Sequence, residues 1–430
     1  MDTIRIEGGH PLSGEVETSG AKNASLPLMA AALLADSPSR LDRIPHLRDI
    51  VTMGEMLERL GARVTRTDGG LDIAPAGFAD AEAPYDLVCK MRASIYVLGP
   101  LLARFGHARV SLPGGCAIGN RPIDLHLRGF EALGARITIE HGYVDAQAPA
   151  GGLTGGECVL EGPSGSSVGA TCNVLMAATL ARGKTVLHGA AREPEVGDLI
   201  GYLNAMGARI SGAGTGTLEI EGVQRLGGCV YRVIPDRIEA GTFLVAAAMM
   251  RSEVTVRNCR PDHMQASLDK LKEMGARLEI SGDSIRVVAD GPLRPIAART
   301  LPYPGFATDM QAQFLAALSL AAGESTITET IYPDRFIHVA ELNRMGADIR
   351  VTNATATVRG VAKLTGATVM ASDLRASAAL ILAGLAAEGQ TEILRVYHLD
   401  RGYERLEEKF RALGAVMERV PSSKTEPSGP

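Results

Sequence analysis

A helical segment that ends in Gly-Ala and continues into an alternating strand occurs six times along the 430 residues. The glycines lie 68 to 73 residues apart, at Gly61, Gly134, Gly207, Gly275, Gly346 and Gly414. Such a repeat constrains the fold more than any single motif, because equivalent segments are expected to adopt equivalent structures. Each glycine stands where a helix must end in a left-handed residue, a conformation in which glycine meets no steric penalty.

A second set of helical segments alternates with the first and is apolar on nearly every side. These segments read LPLMAAALLA, YVLGPLLARFG, NVLMAATLARG, TFLVAAAMMRS, QFLAALSLAAG and ALILAGLAAEG. A helix without a polar face is expected to be buried, and strands such as KTVLHGA, EVTVRN and STITETI follow these helices. Six α/β units of this size are too many for one core, so we predict two domains of three units each.

The composition suggests where the two domains begin and end. We predict a first domain over residues 22–229, which carries the cysteine-containing loop 111–122, and a crossing at the Gly-Gly-Cys run that ends this domain. Residues 1–21 and 230–420 are predicted to form the second domain. On the sequence alone, the N-terminal strands could pair with either domain. The polar residues 421–430, PSSKTEPSGP, are predicted to be a disordered tail.

Charge and cysteine usage exclude several classes of function. The formal net charge of -5 and the pI near 6.0 disfavour binding to nucleic acid or to an anionic membrane surface. No apolar run reaches the roughly 18 residues that a membrane span needs. The six cysteines are scattered, form no C-x-x-C pair and follow no secretory leader. We therefore predict a cytoplasmic protein without a metal site and without a cofactor.

A polar cluster stands directly before each buried helix. The clusters read SGAKNASLP, CKMRASIY, SSVGATCN, IPDRIEAGT, GFATDMQAQ and MASDLRASA. A helix start attracts anions and disfavours cations, yet four of the clusters contain a cation, namely Lys22, Arg92, Arg237 and Arg375. A bound phosphate or carboxylate would remove that penalty, and equivalent helix starts are expected to face one cleft. The clusters therefore predict an anion-binding site.

The alternative is that these clusters are ordinary solvated helix starts. Thr308 and Gln311 have the spacing of a capping box, and Asp309 is favoured in a first helical turn. Both interpretations remain open on the sequence of any single cluster.

The loop SLPGGCAIGNRP places Cys116 between two glycines and an alanine. The loop has no periodic apolar face that would bury the thiol, its glycines permit motion, and a nearby Arg121 would lower the pKa of the thiol. This pattern favours a functional cysteine. The alternative is a small buried hydrophobic residue, which is what we expect of Cys172 in GATCNVLMAA. No base stands at a recognisable spacing, so the sequence gives little support to a protease-like dyad.

Taken together, these segments resemble the family of UDP-N-acetylglucosamine 1-carboxyvinyltransferases, which are enolpyruvyl transferases. The resemblance runs from residue 2 to about residue 420 and rests on SGAKNASLPLMAAALLA, APYDLVCKMRASIYVLGPLLARFG, VSLPGGCAIGNRPIDLHL, AAREPEVGDL, IPDRIEAGTFLVAAA, TDMQAQF, DLRASAALILAG and YHLDRGYERLEEKFRALGA. It implies a two-domain inverted α/β barrel built from six repeats. It also implies transfer of the enolpyruvyl group of phosphoenolpyruvate to the 3-hydroxyl of UDP-N-acetylglucosamine, with release of phosphate through a tetrahedral intermediate. That reaction begins peptidoglycan synthesis and so supports cell shape and division.

The resemblance also assigns residues. Cys116 matches the family's loop cysteine, which protonates the phosphoenolpyruvate methylene, forms a pyruvate adduct and is the target of fosfomycin. Lys22 and Asn23 match the phosphoenolpyruvate contacts, and Arg121 and Arg401 complete its cationic surroundings. The contacts to the nucleotide sugar match Arg92, Arg121, Pro122, Ile123, Asp124, Leu125, Gly165, Ser166, Ser167, Val168, Asp309 and Ile331. The family carries a lysine shortly before VGAT, where this chain has Gly165, Ser166 and Ser167, which have no charged side chain to contact the diphosphate.

The chemistry of this reaction requires an acid and a base. Cys116 is the candidate acid, and Asp309 either accepts the proton of the sugar hydroxyl or only orients that hydroxyl, because a helix dipole weakens a carboxylate as a base. The glycines of the loop would let Cys116 move over the cleft when the nucleotide sugar binds.

Two other functions remain possible on the same scaffold. The first is the sister reaction, 3-phosphoshikimate 1-carboxyvinyl transfer, against which the cysteine loop and NRPIDLHL count. The second is a catalytically silent UDP-sugar-binding protein, which would not require Lys22, Cys116, Asp309 and Arg401 together. The oligomeric state is left open.

Overall fold

A computed structural model describes residues 2–75, 77, 82–112 and 123–421 of the chain. Within these ranges the strands are β1 (Thr3–Glu7), β2 (Ser13–Glu17), β3 (Ser39–Asp42), β4 (Ala62–Thr67), β5 (Gly70–Pro75), β6 (Glu82–Ala83), β7 (His107–Ser111), β8 (Arg136–Glu140), β9 (Tyr143–Gln147), β10 (Glu157–Val159), β11 (Glu161–Gly162), β12 (Gly165–Ser166), β13 (Lys184–His188), β14 (Arg209–Ser211), β15 (Thr217–Glu221), β16 (Val230–Arg232), β17 (Glu253–Arg257), β18 (Arg277–Ser281), β19 (Ser284–Val288), β20 (Ala297–Arg299), β21 (Glu324–Thr328), β22 (Asp348–Thr352), β23 (Thr355–Arg359), β24 (Thr368–Met370), β25 (Gln390–Leu394) and β26 (Val416–Val420).

The α-helices of the same ranges are α1 (Lys22–Ala31), α2 (Arg48–Arg59), α3 (Tyr85–Val88), α4 (Leu98–Phe105), α5 (Asp124–Ala132), α6 (Val168–Ala178), α7 (Pro194–Ala205), α8 (Arg237–Met249), α9 (Gln265–Glu273), α10 (Gln311–Leu318), α11 (Val339–Arg344), α12 (Leu374–Ala386) and α13 (Leu406–Ala412). Short 3-10 helices cover Ala32–Leu34, Arg92–Val97, Pro261–His263, Thr308–Met310 and Val396–Arg401.

The strands form four-stranded sheets with one recurring pattern. The strand orders are β16-β3-β5-β4, β6-β7-β9-β8, β10-β13-β15-β14, β18-β19-β17-β2, β20-β21-β23-β22 and β24-β25-β1-β26. Each of these sheets contains one parallel pair at an edge and two antiparallel pairs. The short pair β11-β12 stands apart from them. The repeat predicted from the sequence is thus a repeat of structure, and the α/β fold is confirmed.

The six repeat glycines end helices as predicted. They follow α2, α5, α7, α9, α11 and α13, and each adopts a positive φ between 86° and 105°. Only a residue without a side chain takes this conformation freely, so the glycine stops the helix and directs the chain into the next strand.

The apolar helices α1, α4, α6, α8, α10 and α12 are buried along most of their lengths. The prediction made from their composition is therefore confirmed. Cys172 on α6 is fully buried, and burial raises the pKa of its thiol, which fits the role of a small hydrophobic residue.

The chain divides into two compact units, Ser19–Asp236 and Met1–Thr18 with Arg237–Pro430. Each unit has its own hydrophobic core and contains three of the four-stranded sheets. In each unit, a strand from near the end of the unit's sequence pairs with a strand from near its beginning. These pairs are β16 with β3 in Ser19–Asp236 and β26 with β1 in the other unit.

The boundaries of the units differ slightly from those that we expected. The chain leaves the first unit after Asp236 rather than at Cys229, because β16 still pairs with β3 and the N–H of Asp236 donates to the carbonyl of Ser19. At the N-terminus, β1 and β2 pair with strands of the second unit. Of the predicted disordered tail 421–430, only Pro421 lies within the described residues.

Candidate active site

Lys22 is the first residue of the buried helix α1 and forms an ion pair at the helix start. Its Nζ lies 2.8 Å from Oδ2 of Asp49, with side chains 13% and 3% exposed, and its backbone N–H donates to Asp236. Asp49 stands in the first turn of α2, where a carboxylate is favoured by the helix dipole. The carboxylate of Asp49 therefore offsets the penalty that the sequence predicted for Lys22. Asn23 follows as the second residue of α1.

The residues predicted to contact the nucleotide sugar in this unit, where they are described, lie at helix starts or directly before them. Arg92 begins the 3-10 helix Arg92–Val97. Ile123 precedes α5, of which Asp124 and Leu125 are the first residues. Gly165 and Ser166 form β12, Ser167 is the N-cap of α6, and Val168 begins that helix. The cap is formed by Oγ of Ser167, which accepts the N–H of Ala170 at 3.2 Å.

His126 on α5 and Asn173 on α6 contact each other in the core of the same unit, near these helix starts. Neither residue was predicted from the sequence as a site residue. His126 is the third residue of α5 and is 6% exposed, and its Nδ1 lies 3.1 Å from Nδ2 of Asn173 on α6. Burial first, and then the charge of Arg92, lower the pKa of His126 to about 3. The imidazole is therefore neutral at physiological pH.

Asp309, in the second unit, is held between two arginines. Its Oδ1 lies 2.8 Å from Arg335 and its Oδ2 lies 2.8 Å from Arg375, and both arginine side chains are only 5% exposed. Burial alone would raise the pKa of Asp309, but Arg375 and Arg335 outweigh it and hold that pKa well below its usual range. The carboxylate is therefore ionised and is a weak proton acceptor.

Glu329 connects Asp309 with Ile331, which the sequence also predicted as a site residue. Glu329 is fully buried and accepts hydrogen bonds from Oγ1 of Thr308 and from the N–H of Ile331, each at 2.8 Å. Arg335, the partner of Asp309, donates to the same Thr308 oxygen at 2.9 Å.

The alternative interpretation of this helix start as a capping box was wrong. Ala307, rather than Thr308, is the N-cap of the 3-10 helix Thr308–Met310, and no side chain caps that helix. The hydroxyl of Thr308 is engaged by Glu329 and Arg335 instead, and the amide of Gln311 is buried without a hydrogen-bond partner among the described residues.

The other predicted cations, Arg237, Arg375 and Arg401, all belong to the second unit. Arg237 begins α8, and its guanidinium lies 5.8 Å from the ring centre of Tyr303. Arg375 lies 5.6 Å from the ring centre of Tyr403 in addition to its contact with Asp309. Arg401 ends the 3-10 helix Val396–Arg401.

Three residues of the predicted site, Cys116, Arg121 and Pro122, lie outside the described residues. Among the residues that are described, no group of three or more His, Cys, Asp or Glu side chains is arranged to hold a metal ion. No helix in these ranges has the length and apolar character to cross a membrane.

Comparison with known proteins identifies the family. The family model of EPSP synthase (3-phosphoshikimate 1-carboxyvinyltransferase) matches residues 6–410. The chain belongs to this family of enolpyruvyl transferases. It is 56% identical over 420 residues to the UDP-N-acetylglucosamine 1-carboxyvinyltransferase of Desulfosudis oleivorans, which covers 98% of this chain and 100% of that relative. It is 55% identical over 427 residues to the protein of the same name from Novosphingobium aromaticivorans, with 98% and 99% covered.

Solved structures agree with this assignment. The enolpyruvyl transferase NikO from Streptomyces tendae superposes with a TM-score of 0.87 at 28% identity, covering 98% of this chain and 100% of NikO. EPSP synthase from Acinetobacter baumannii superposes with a TM-score of 0.73 at 18% identity, covering 98% of this chain and 100% of that protein. This second likeness is one of fold alone. The resemblance and the fold class predicted from the sequence are both confirmed.

Proposed function

We propose that this enolpyruvyl transferase uses UDP-N-acetylglucosamine as its acceptor and phosphoenolpyruvate as its donor. The observation that carries the proposal is the 56% identity, over the whole length, to relatives that bear this activity in their names. The oxygen of the sugar 3-hydroxyl adds to C2 of phosphoenolpyruvate and releases its proton to solvent, while a proton is added at C3. Loss of a C3 proton and cleavage of the C2–O bond to phosphate then give the enol ether and inorganic phosphate. Both substrates are anionic, which the helix-start cations suit.

Lys22 and Asn23 are proposed to bind phosphoenolpyruvate, with Arg121 and Arg401 completing the binding groups. The ion pair with Asp49 supports this role for Lys22, because it holds the ammonium group at the start of α1 with little freedom. A cation that is already oriented stabilises the charge developing on the substrate without reorganising during the reaction.

Asp309 is proposed to orient the sugar hydroxyl rather than to remove its proton. A general base works best when its pKa lies near the pH of the reaction, and the two arginines hold that of Asp309 far below it. An ionised carboxylate in a fixed position still accepts a strong hydrogen bond from a hydroxyl.

The nucleotide portion is proposed to bind Arg92, Arg121, Pro122, Ile123, Asp124, Leu125, Gly165, Ser166, Ser167 and Val168, with Asp309 and Ile331 contacting the sugar. The start of α6 supports this assignment, because backbone N–H groups at a helix start bind phosphate without a lysine. We propose that the start of α6 takes the place of the lysine that the family carries near Gly165.

Cys116 is proposed to supply the proton to C3 of phosphoenolpyruvate and to be the site of a pyruvate adduct. Five other cysteines, at 89, 158, 172, 229 and 259, are free thiols in the structure. A reducing cytoplasm suits a chain with free thiols, and we propose that compartment, with peptidoglycan synthesis as the process served.

The experiment that tests the function measures phosphate released from phosphoenolpyruvate by the purified protein with different acceptors. We expect release with UDP-N-acetylglucosamine and none with shikimate 3-phosphate or without an acceptor. Release with shikimate 3-phosphate alone would replace the proposal by the sister reaction. Calorimetric binding of UDP-N-acetylglucosamine without any release would indicate a silent binding protein.

The role of Cys116 is tested separately with the Cys116→Ser variant and the epoxide fosfomycin. We expect the wild-type protein to gain one covalent fosfomycin in intact-mass spectra and the variant to gain none, with turnover of the variant strongly reduced. Unchanged labelling of the variant would place the reactive thiol elsewhere, and Cys89→Ser, at an exposed thiol, is the matched control.

A further inference from the structure

His126 is a buried side chain that uses one of its two ring nitrogens within the part of the chain that the structure describes. The residue is 6% exposed, and its Nδ1 contacts Nδ2 of Asn173. Its other nitrogen, Nε2, has no hydrogen-bond partner among the residues that the structure describes. A ring nitrogen left unpaired on a side chain that is otherwise buried is available to a ligand from outside the chain.

Asn173 determines which nitrogen of His126 carries the proton. Oδ1 of Asn173 accepts the N–H of Gly99 at 2.8 Å, and Nδ2 donates to the carbonyl of Ile95 at 2.8 Å. These two bonds fix the orientation of the amide, so the group that faces His126 is a donor. Nδ1 must therefore accept, and the single proton of the neutral imidazole resides on Nε2.

The Nε2 atom lies against the first turn of α6. A methyl group added at Gly169, the second residue of this helix, would come within 3.1 Å of Nε2. Ser167 already occupies the N–H of Ala170, whereas the N–H groups of Val168 and Gly169 have no acceptor among the described residues. One imidazole donor and two backbone donors therefore lie at one helix start, an arrangement suited to an anion.

We propose that His126 donates its Nε2–H to a phosphate oxygen bound at the start of α6, and that Asn173 is the positioning residue that keeps His126 in the tautomer this requires. The inference rests on the proposed function, which brings the diphosphate of a UDP-sugar to residues 165–168. A neutral donor recognises a phosphate oxygen by a directed hydrogen bond.

Two substitutions of His126 separate the two nitrogens. In His126→Asn the amide reaches only the position of Nδ1, whereas in His126→Gln the amide reaches the position of Nε2. Titration calorimetry with UDP is expected to show a Kd raised roughly ten- to hundredfold in His126→Asn and much less in His126→Gln, as for loss of a hydrogen bond to a charged group. Uridine, which has no phosphate, should bind all three proteins equally. Equal UDP affinity of the wild type and His126→Asn would overturn the proposal.

The tautomer is measured directly on the wild-type protein by ¹⁵N NMR of labelled histidine, without reliance on any variant. We expect a neutral His126 ring protonated at Nε2, whose Nε2 signal shifts when UDP is added, and a mixture of tautomers in Asn173→Ala. A ring protonated at Nδ1, or an Nε2 signal that UDP leaves unchanged, would contradict the proposal.

Kinetics separate this inference from the proposed function. In His126→Asn we expect the KM for UDP-N-acetylglucosamine to rise, with kcat and the KM for phosphoenolpyruvate nearly unchanged. If the wild type releases phosphate with the nucleotide sugar but His126→Asn binds UDP normally, only the role of His126 fails. If UDP binding depends on His126 but no phosphate is released, only the proposed reaction fails.

Discussion

The two units of the chain share one repeating backbone but differ in how they hold the charged residue that the sequence predicted at a helix start. In Ser19–Asp236, the cation Lys22 is paired with one carboxylate, that of Asp49. In the second unit, the anion Asp309 is paired with two arginines. The repeat therefore determines where helices begin, whereas the side chains at those helix starts have diverged. The function depends on this divergence, because the side chains at the helix starts differ between the units while the backbone repeats.

The largest loss of stability is expected when the negative charge of Asp309 in the second unit is removed. Asp309→Asn removes the carboxylate that both Arg335 and Arg375 contact, so we expect the free energy of unfolding in urea to fall by about 3–5 kcal/mol. Asp290→Asn is the matched control, because Asp290 lies exposed in the same unit. An Asp309 variant as stable as this control would show that the arginines do not depend on the carboxylate.

The difference in stability between the wild type and Asp309→Asn should depend on pH, because the pKa of Asp309 is lowered in the folded protein. A carboxyl group with a lower pKa in the folded state stabilises the protein above its unfolded pKa of about 3.9, and this stabilisation is lost as the pH falls toward the folded pKa. The difference between wild type and Asp309→Asn should therefore be constant from pH 8 to pH 5 and shrink below about pH 4. A difference that grows on acidification would contradict the assignment of charge.

A smaller effect is expected in the first unit, because only one cation loses its partner there. Asp49→Asn should lower the free energy of unfolding by about 1–3 kcal/mol, since Lys22 is mostly buried. The control is Asp36→Asn, because Asp36 pairs with Arg104 at 3.3 Å but its side chain is 57% exposed, for which an effect below about 1 kcal/mol is expected. Equal effects of the two substitutions in urea denaturation would remove the distinction between a buried and an exposed pair.

An effect of similar size tests what the two units share. Asn204 in the first unit donates to the carbonyl of Ile210 and accepts its N–H, and Asn343 in the second unit makes the same two bonds with Ile349. Replacing either asparagine by Ala should cost about 1–3 kcal/mol, as for two hydrogen bonds, and the two losses should agree within about 0.5 kcal/mol. Thermal unfolding of both variants measures this, and clearly unequal losses would mean that equivalent turns are not energetically equivalent.

The sequence predicts the parts of the molecule that repeat. Gly61 and its equivalents indicate helix ends because a left-handed residue is a local requirement, and the buried helices are recognised from their own composition. The ion pairs are not local. Asp49 and Arg335 lie in segments with no distinguishing pattern, and only the folded chain brings them to Lys22 and Asp309. The capping box at Thr308 failed for the same reason, since a distant Glu329 competes for its hydroxyl.

The nucleotide site shows the same limit. Ser167 was predicted through the family resemblance, and its cap on α6 is a local feature. His126 lies in the segment NRPIDLHL and Asn173 in SSVGATCN, but only the packing of α5 on α6 makes the two side chains adjacent. A buried histidine at one apolar position is commonly part of the core, so the sequence offered no reason to select it.

The most direct test of this account is the structure of the product made from ¹³C-labelled phosphoenolpyruvate and UDP-N-acetylglucosamine. The account predicts a nucleotide sugar that gains the mass of one enolpyruvyl group and whose labelled C2 is joined, in ¹³C NMR spectra, to the 3-oxygen of the sugar. Labelled pyruvate and phosphate with an unmodified nucleotide sugar would contradict the account.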